Sequence, residues 1–413
     1  MRKRVVVTGV GVVAPNGTGK DDFWEANLQG KSGVGPLTLF DTSKMMTKNA
    51  AQVRGFDPEQ FMPRELAAKV DRFVQLGLAS GKLAIEDSRL AFDRLDRDRI
   101  GVIIGSGLGG ILFHEEQMVA SFQKENHRMP PSSVPRTTPN AVASHLAIQY
   151  QLFGPNYVVA TACASGNHAV GEAFKKIQDD KADVMLAGGT EAPLTPYTFG
   201  AFYSLRTLSK ADRPPHQASR PFDNQRDGFV MAEGSAVLIL EELEHARNRD
   251  AYIYAEIAGY GLSSGAYHMV IPRPDGEDAA RTIHLALDDA GMTPDEIDYI
   301  NAHGTSTKAN DIAETKAIKA VFKSRAKKIP VSSTKSMIGH SIGAAGAIEA
   351  VAACLTIDNQ VIPPTINYEH PDPECDLDYV PNHPRKGQIG TVLSNSFGFG
   401  NVNACIIFKN IRS

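Results

Sequence analysis

Three residues in this chain stand where a covalent acyl transfer could be run: Cys163 in "YVVATACASGNHAVG", His303 in "YINAHGTST" and His340 in "VSSTKSMIGHSIGAAGA". Each follows a β-branched run that reads as a strand and precedes a run of helical spacing. In open α/β sheets, functional groups collect at that edge, where strands end and helices begin. At a helix start the dipole and the unpaired amides favour thiolate over thiol, so Cys163 is expected to have a lowered pKa and raised nucleophilicity. Its neighbours Ala162, Ala164, Ser165 and Gly166 leave room for a substrate. Taken alone, the cysteine reads equally well as an inert core residue, because free cysteine is among the most buried side chains. Three such groups at equivalent strand ends point instead to thioester chemistry: a sulfur that accepts an acyl group, and imidazoles that stabilise negative charge on a second substrate's carbonyl. The remaining histidines, His168 and His268 among them, are read as structural.

Three glycine-rich stretches need sorting. In "SNSFGFGNVNACIIF", Gly398 and Gly400 permit a sharp turn that would aim an amide at a developing oxyanion and set Phe399 at the mouth of a pocket. A plain β-turn with core aromatics fits the same letters. "GSGLGG", Gly105 to Gly110, follows a strand as a dinucleotide-binding loop would, but no acidic residue ends a following strand about 20 residues on, so an oxidoreductase reading is weak. "NGTGKDD" has Ala14 where a P-loop needs its first Gly, and Asp21 where it needs Ser or Thr.

The elements that must position these groups alternate between short β-branched runs and helix-period segments along the whole length, which predicts a mainly parallel sheet covered by helices. Expected strands are 4–8, 100–104, 157–161, 184–187 and 236–240, then 252–258, 297–302, 329–332, 390–393 and 404–408. They fall into two sets of five. "ALDDAGMTPDEIDYINAHGT" echoes "AIEDSRLAFDRLDRDRIGVIIGSG", and "IPVSSTKSMIGHSIGAAGAIEAVAAC" echoes "NYVVATACASGNHAVGEAFKKIQ". An internal duplication joined near residue 250 is therefore expected: residues 1–250 carry the cysteine and residues 251–413 carry both histidines. Insertions at about 30–75 and 108–145 fit neither half and are expected to cap the sheet ends. The opening "MRKRVVVTGVGVVAP" reads as a first strand of mature protein, stopped by Thr8, Gly9 and Gly11 in a turn.

A chain of 413 residues exceeds what one core usually covers. With 42% hydrophobic and 22% charged residues it should fold. A net charge of −4 with no basic tract argues against nucleic acid as a partner. The four cysteines include no CxxC pair, so neither a metal site nor a disulfide scaffold is suggested, and a cytoplasmic location fits. No stretch is expected to reach the ~18 apolar residues of a membrane helix.

Beyond this, the chain resembles, over essentially its whole length, a β-ketoacyl-(acyl carrier protein) synthase of the elongating type, within the thiolase-fold superfamily. The motifs that carry the resemblance are "TACASG" at 161–166, "SRPFDNQRDGFVMAEG" at 219–234, "YHM" at 267–269, "NAHGTST" at 301–307, "STKSMIGH" at 333–340, "DPECDLDYVP" at 372–381 and "NSFGFG" at 395–400. The resemblance implies an α/β, five-layer αβαβα fold of two duplicated halves with a capping insertion region, and a dimer. It implies that Cys163 takes an acyl chain from acyl carrier protein, and that His303 and His340 decarboxylate malonyl-carrier protein and stabilise the enolate that attacks the acyl-Cys. It further implies an oxyanion hole from the amides of Cys163 and Phe399, with Phe399 as gate and Phe397 beside the substrate. Lys335 would support the histidines, and Glu349 would be a buried ordering carboxylate, sometimes beside a structural cation. Thr305 and Thr307 would hold the phosphopantetheine arm, with Leu108 in the acyl pocket. No intrinsic cofactor is implied. Carrier-protein docking would fall to Lys69, Arg72, Arg206 and Lys210, with Glu65 intruding.

Cysteine with two histidines separates the chain from thiolases, from initiating synthases that pair Cys with His and Asn, and from chain-length factors that lack the cysteine. Cys405 lies inside the closing strand and reads as core. Asn401 and Val402 replace the residues usual in the family's gate loop, and Ser132 and Ser133 are small where an aromatic often closes the acyl tunnel. Two pathways therefore stay open: fatty-acid synthesis by a homodimer, or a type II polyketide or polyene system with a chain-length-factor partner. A non-catalytic partner subunit is the lesser alternative.

Overall fold

The computed structural model describes residues 2–124, 128–210 and 213–411. Its scaffold is one bent sheet. The ten strands that matter are β1 (Val5–Ala14), β2 (Ile100–Gly105), β3 (Asn156–Val159), β4 (Val184–Glu191), β5 (Gly234–Glu242), β6 (Ala255–Ser264), β7 (Tyr299–Asn301), β8 (Val331–Ser332), β9 (Thr391–Gly398) and β10 (Val402–Lys409). They lie in the order β8-β7-β9-β10-β6-β1-β5-β4-β2-β3. The first five and the last five strands follow the same order, third, second, fourth, fifth, first, and the antiparallel pairing of β1 with β6 joins the two sets. Pairing directions match as well: two parallel contacts and two antiparallel ones in each half. The sheet is thus mixed rather than mainly parallel. In the second half the short Phe399–Asn401 connection admits only an antiparallel return.

Six helices complete the layers: α1 (Arg72–Ser88), α2 (Ala141–Tyr150), α3 (Ser165–Gln178), α4 (Glu277–Ala290), α5 (Lys308–Phe322) and α6 (Ala345–Asn359). Helices α3 and α6 pack on each other between the two halves of the sheet, α1 and α2 cover one outer face, and α4 and α5 cover the other, giving αβαβα. Sequence explains the division. The outer helices have apolar residues on one face, whereas "AGAIEAVAACLTI" in α6 is buried on every side, as a helix between two sheets must be. That helix with its lead-in, Ile342–Asn359, does reach the length and hydropathy of a membrane span, contrary to expectation, and 89% of the segment is buried inside the fold.

All ten expected strands form. The first does not stop at Thr8 but continues to Ala14, because Gly9 and Gly11 lie under α1 rather than in a turn. A Cβ on Gly11 would fall 2.0 Å from the carbonyl oxygen of Ser80. The strand crosses beneath the helix at a distance only glycine allows. Around these layers, residues 30–71 form a ribbon (Val34–Pro36 with Asn49–Ala51) and short turns, and helices Ile111–Lys124 and Ser133–Thr137 belong to the second insertion.

Candidate active site

Equivalent turns in the two halves build the site floor. After β3 the chain passes through Ala162, held at φ 49°, into a 3₁₀ turn Ala162–Ala164 and then α3. After β8 it passes through Ile342 at φ 46° into a 3₁₀ turn Ile342–Ala344 and then α6. Cys163 is the second residue of the first turn, and Gly343 occupies its place in the second. Left-handed backbone at two β-branched or methyl-bearing residues carries strain that the surrounding packing has to hold.

Cys163, His303 and His340 line one cavity of about 240 Å³, shared with Phe397, Gly398, Phe399, Thr305 and Thr307. The imidazole rings of His303 and His340 stand edge to face, 5.4 Å between centroids. Phe397 flanks His303 at 5.8 Å, and Phe229 flanks His340 at 5.3 Å. Burial, Lys335 and, for His303, the neighbouring imidazole push both histidines well below their ordinary value, so both rings are neutral at physiological pH. Their Nδ1 atoms have no partner among the described residues.

The cysteine departs from expectation. Burial pushes the thiol up to about 11, outweighing the hydrogen bond from the Phe399 amide, the charge of Lys335 and the amide of Cys163 itself, while Glu191 adds to the rise. Position at a helix start does not offset the desolvation of a sulfur this deeply buried. The resting group is a thiol, and the amides of Phe399 and Cys163 converge on it.

Backbone contacts fix the histidines. The amides of His303 and Gly304 both donate to Glu314, at 2.8 Å each, and Asn395 Nδ2 donates to the same carboxylate at 3.1 Å. Asn395 lies on β9, the strand that leads to Phe399, so Glu314 locks the His303 loop to the Phe399 loop's base. His340 is bracketed by the "FVMAEG" segment: its amide donates to Val230 O at 2.7 Å and its carbonyl accepts from the Ala232 amide at 3.0 Å. Lys335 and Glu349 form a fully buried ion pair below the cavity, and burial pushes Glu349 up to about 7 despite Lys335. Thr305 and Thr307 share a hydroxyl hydrogen bond of 2.9 Å at the cavity wall.

Not every expected residue is in place. Leu108 does not line the cavity; its amide donates to Glu191 at 3.1 Å. Arg72 is corrected as a docking cation, because its guanidinium is spent on Glu233 (2.6 and 2.8 Å) and on Val53 O at 3.0 Å, inside the fold. Lys69, Arg206 and Lys210 are exposed, and Arg206 lies between Leu205 and Thr207, which line the cavity. Cys405 is buried and donates to Asn395 Oδ1.

Two carboxylates were not legible beforehand: Glu314 and Glu191. Glu191 accepts from the amides of Gly107 (2.6 Å), Leu108 and Gly343 (both 3.1 Å) and from Ser106 Oγ (3.1 Å). The amides of the "GSGLGG" loop that a phosphate would need are therefore taken by the protein's own carboxylate. Lys20 of "NGTGKDD" is likewise spent, on Asp87 and on Tyr254 at 2.7 Å.

Two family models match the chain: beta-ketoacyl synthase, N-terminal domain, over residues 2–246, and beta-ketoacyl synthase, C-terminal domain, over residues 254–369. The 3-oxoacyl-[acyl-carrier-protein] synthase 2 of Synechocystis sp. is 47% identical over 411 residues, covering 100% of this chain and 99% of that protein. Among solved structures, AntDE:AntF, a type II PKS acyl-carrier protein in complex with its ketosynthase, superposes with a TM-score of 0.92 at 38% identity over 100% of both chains. The ishigamide ketosynthase/chain length factor superposes with a TM-score of 0.93 at 35% identity, over 99% of this chain and 100% of that one.

Proposed function

The chain belongs to the β-ketoacyl synthase family and is an acyltransferase of thiolase-like fold; from that premise we propose that it extends acyl chains by decarboxylative condensation with malonyl-acyl carrier protein, in fatty-acid synthesis. The observation that carries this reading is the convergence of one thiol and two neutral imidazoles on one cavity. Cys163 Sγ attacks the acyl thioester of the carrier, and because the thiol starts protonated, its proton leaves to an imidazole during the attack and ends on the departing carrier thiolate. Malonyl-carrier protein then enters. Loss of carbon dioxide leaves an enolate whose oxygen is stabilised by the His303 and His340 rings. Its carbon attacks the acyl-Cys carbonyl, and the amides of Cys163 and Phe399 hold the tetrahedral oxyanion. Collapse expels Cys163 as a thiolate, which takes up a proton from solvent to restore the resting thiol, and releases a 3-oxoacyl chain two carbons longer on the carrier.

Thr305 and Thr307 guide the phosphopantetheine arm, and Lys69, Arg206 and Lys210 meet the acidic carrier. No intrinsic cofactor takes part. Glu349 Oε2, Asn301 Oδ1 and Ser394 Oγ are buried without hydrogen-bond partners among the described residues, and Asn301 and Ser394 are register partners across β7 and β9. Glu349 Oε2, with the register neighbours Asn301 Oδ1 and Ser394 Oγ, supplies the oxygens that would hold the structural cation the fold family implies, beside a carboxylate that Lys335 already pairs. The boundary between the halves is read at residue 250.

The molecule is a dimer in this reading. Edge strand β3 has a free side, and Phe122, Val134, Ile148 and Phe153 expose apolar surface. The 47% identity to the Synechocystis 3-oxoacyl-[acyl-carrier-protein] synthase 2 supports the fatty-acid reading, for which we take a homodimer, while the likeness to the ishigamide ketosynthase/chain length factor supports pairing with a chain-length factor as the second reading. Four free, buried cysteines accord with a reducing cytoplasm. The test is intact-mass analysis of the purified chain offered a panel of acyl-carrier proteins, then malonyl-carrier protein. The expected result is an acyl adduct on Cys163 that is consumed to 3-oxoacyl product, and no product from Cys163→Ala. Condensation by Cys163→Ala would refute the reading, and activity only on adding a second subunit would select the heterodimer.

A further inference from the structure

Glu191 ends β4 with its side chain fully buried, and one of its oxygens spans the two halves of the chain. Oε2 accepts the amide of Gly107 at 2.6 Å from the first half and that of Gly343 at 3.1 Å from the second. Oε1 takes the amide of Leu108 and the hydroxyl of Ser106, both at 3.1 Å. The residue held by this bridge is Ile342, whose backbone at φ 46° is one that a β-branched side chain avoids. Ile342 lines the cavity, and a Cβ on Gly107 would lie 3.3 Å from its Cγ2, so the isoleucine has the cavity on one side and the Gly107 backbone on the other.

Gly107 and Leu108 are outside the cavity lining. Behind them the loop rests on the second insertion: the Gly110 amide donates to Thr137 O at 3.0 Å, and a Cβ on Gly109 would lie 2.9 Å from Pro139 Cγ. Residues 132–140 of that insertion contain no aromatic side chain. Ile342 is therefore the partition between the cavity and this segment, and parting it from Gly107 strands two buried amides that share one acceptor. We propose that Glu191 is a positioning residue that sets how deep the cavity is: its Oε2 keeps Ile342 against Gly107, and a chain too long for the cavity enters only as that bridge gives way toward residues 132–140. The proposal rests on Cys163 being the acyl acceptor.

Glu191→Gln keeps an acceptor oxygen for Gly107 and Gly343 by turning its amide nitrogen to Ser106, and gives up only Leu108. Glu191→Asp is one carbon too short to serve both amides, and Glu191→Ala serves neither. The first measurement, on the full chain, needs no carrier protein: alkylation of Cys163 by N-dodecylmaleimide relative to N-butylmaleimide. That ratio should stay at the wild-type value in Glu191→Gln, rise in Glu191→Asp and rise about tenfold in Glu191→Ala. Ile342→Ala removes the partition itself and should raise the ratio alone as much as together with Glu191→Ala. The second is acyl loading, followed by mass, from dodecanoyl- and butyryl-carrier protein, in which the same order should appear. Equal changes for the two chain lengths in every Glu191 variant, as a merely structural loss would give, or full additivity with Ile342→Ala, would overturn the proposal. No loading of either chain by wild type would overturn the assigned reaction, and the maleimide ratio would still decide the partition.

Discussion

Glu191 Oε2 accepts the amide of Gly343 at 3.1 Å, and Gly343 holds in the second half the place that Cys163 holds in the first. One half places a cavity thiol at this turn, and the other, at the same turn, supplies an anchor. A Cβ on Gly343 would lie 2.5 Å from Glu191 Oε2 and 2.6 Å from the Gly107 amide, neither of which can give way. Gly343→Ala should therefore cost about 1–3 kcal/mol of stability, as overpacking does, read as a lower denaturation midpoint, and should slow acyl loading of Cys163. An unchanged midpoint would show that the anchor is dispensable.

The same carboxylate gives a signed pH dependence. Burial pushes Glu191 up to about 7 despite its four donors. In the unfolded chain it ionises in the ordinary range, so between about 4.5 and about 7 the native state binds more protons than the unfolded state. The stability this group contributes is complete below that window and is lost as pH rises through about 7. Glu191→Gln cannot ionise. Wild-type melting temperature minus that of the variant should fall as pH rises across the window, and a difference that rises would reverse the assignment.

Lys335 and Glu349 make a fully buried pair, so removing one partner strands the other. Lys335→Ala should cost about 3–5 kcal/mol, read by chemical denaturation, and should also raise the alkylation pKa of Cys163, because the lysine's charge favours the thiolate. A double variant Lys335→Met/Glu349→Leu should recover much of the stability but not the alkylation behaviour. Equal loss in the single and double variants would contradict this account.

The layers were legible because each half repeats its strands as β-branched runs, and the three cavity residues because each ends such a strand or the turn after it. Local sequence carries that much. It does not carry partners: Arg72 reads as a free surface cation until Glu233, 161 residues away, is seen against it. Glu191 closes a quiet strand, "VMLAGGTE", and its importance comes from loops 84 and 152 residues distant. The thiolate expectation failed for a related reason. A helix dipole can be read from position along the chain, but desolvation depends on everything packed around the sulfur.

The two titrations at the site should separate cleanly. Because burial pushes the Cys163 thiol up to about 11, its alkylation by iodoacetamide should keep rising through pH 10, where an exposed cysteine would already have levelled off near its ordinary value. In the proposed mechanism decarboxylation, measured alone with Cys163→Gln and malonyl-carrier protein, uses neutral rings instead. Both histidines are held well below their ordinary value, so its rate should be flat from pH 8 down through about 6.5 and fall only in more acid solution as the rings protonate. His303→Ala should abolish decarboxylation yet leave acyl loading measurable by mass. Loss of loading with decarboxylation retained would exchange the roles of the thiol's and the enolate's partners, and an acid limb centred at 6.5 would mean that water reaches rings that the fold buries.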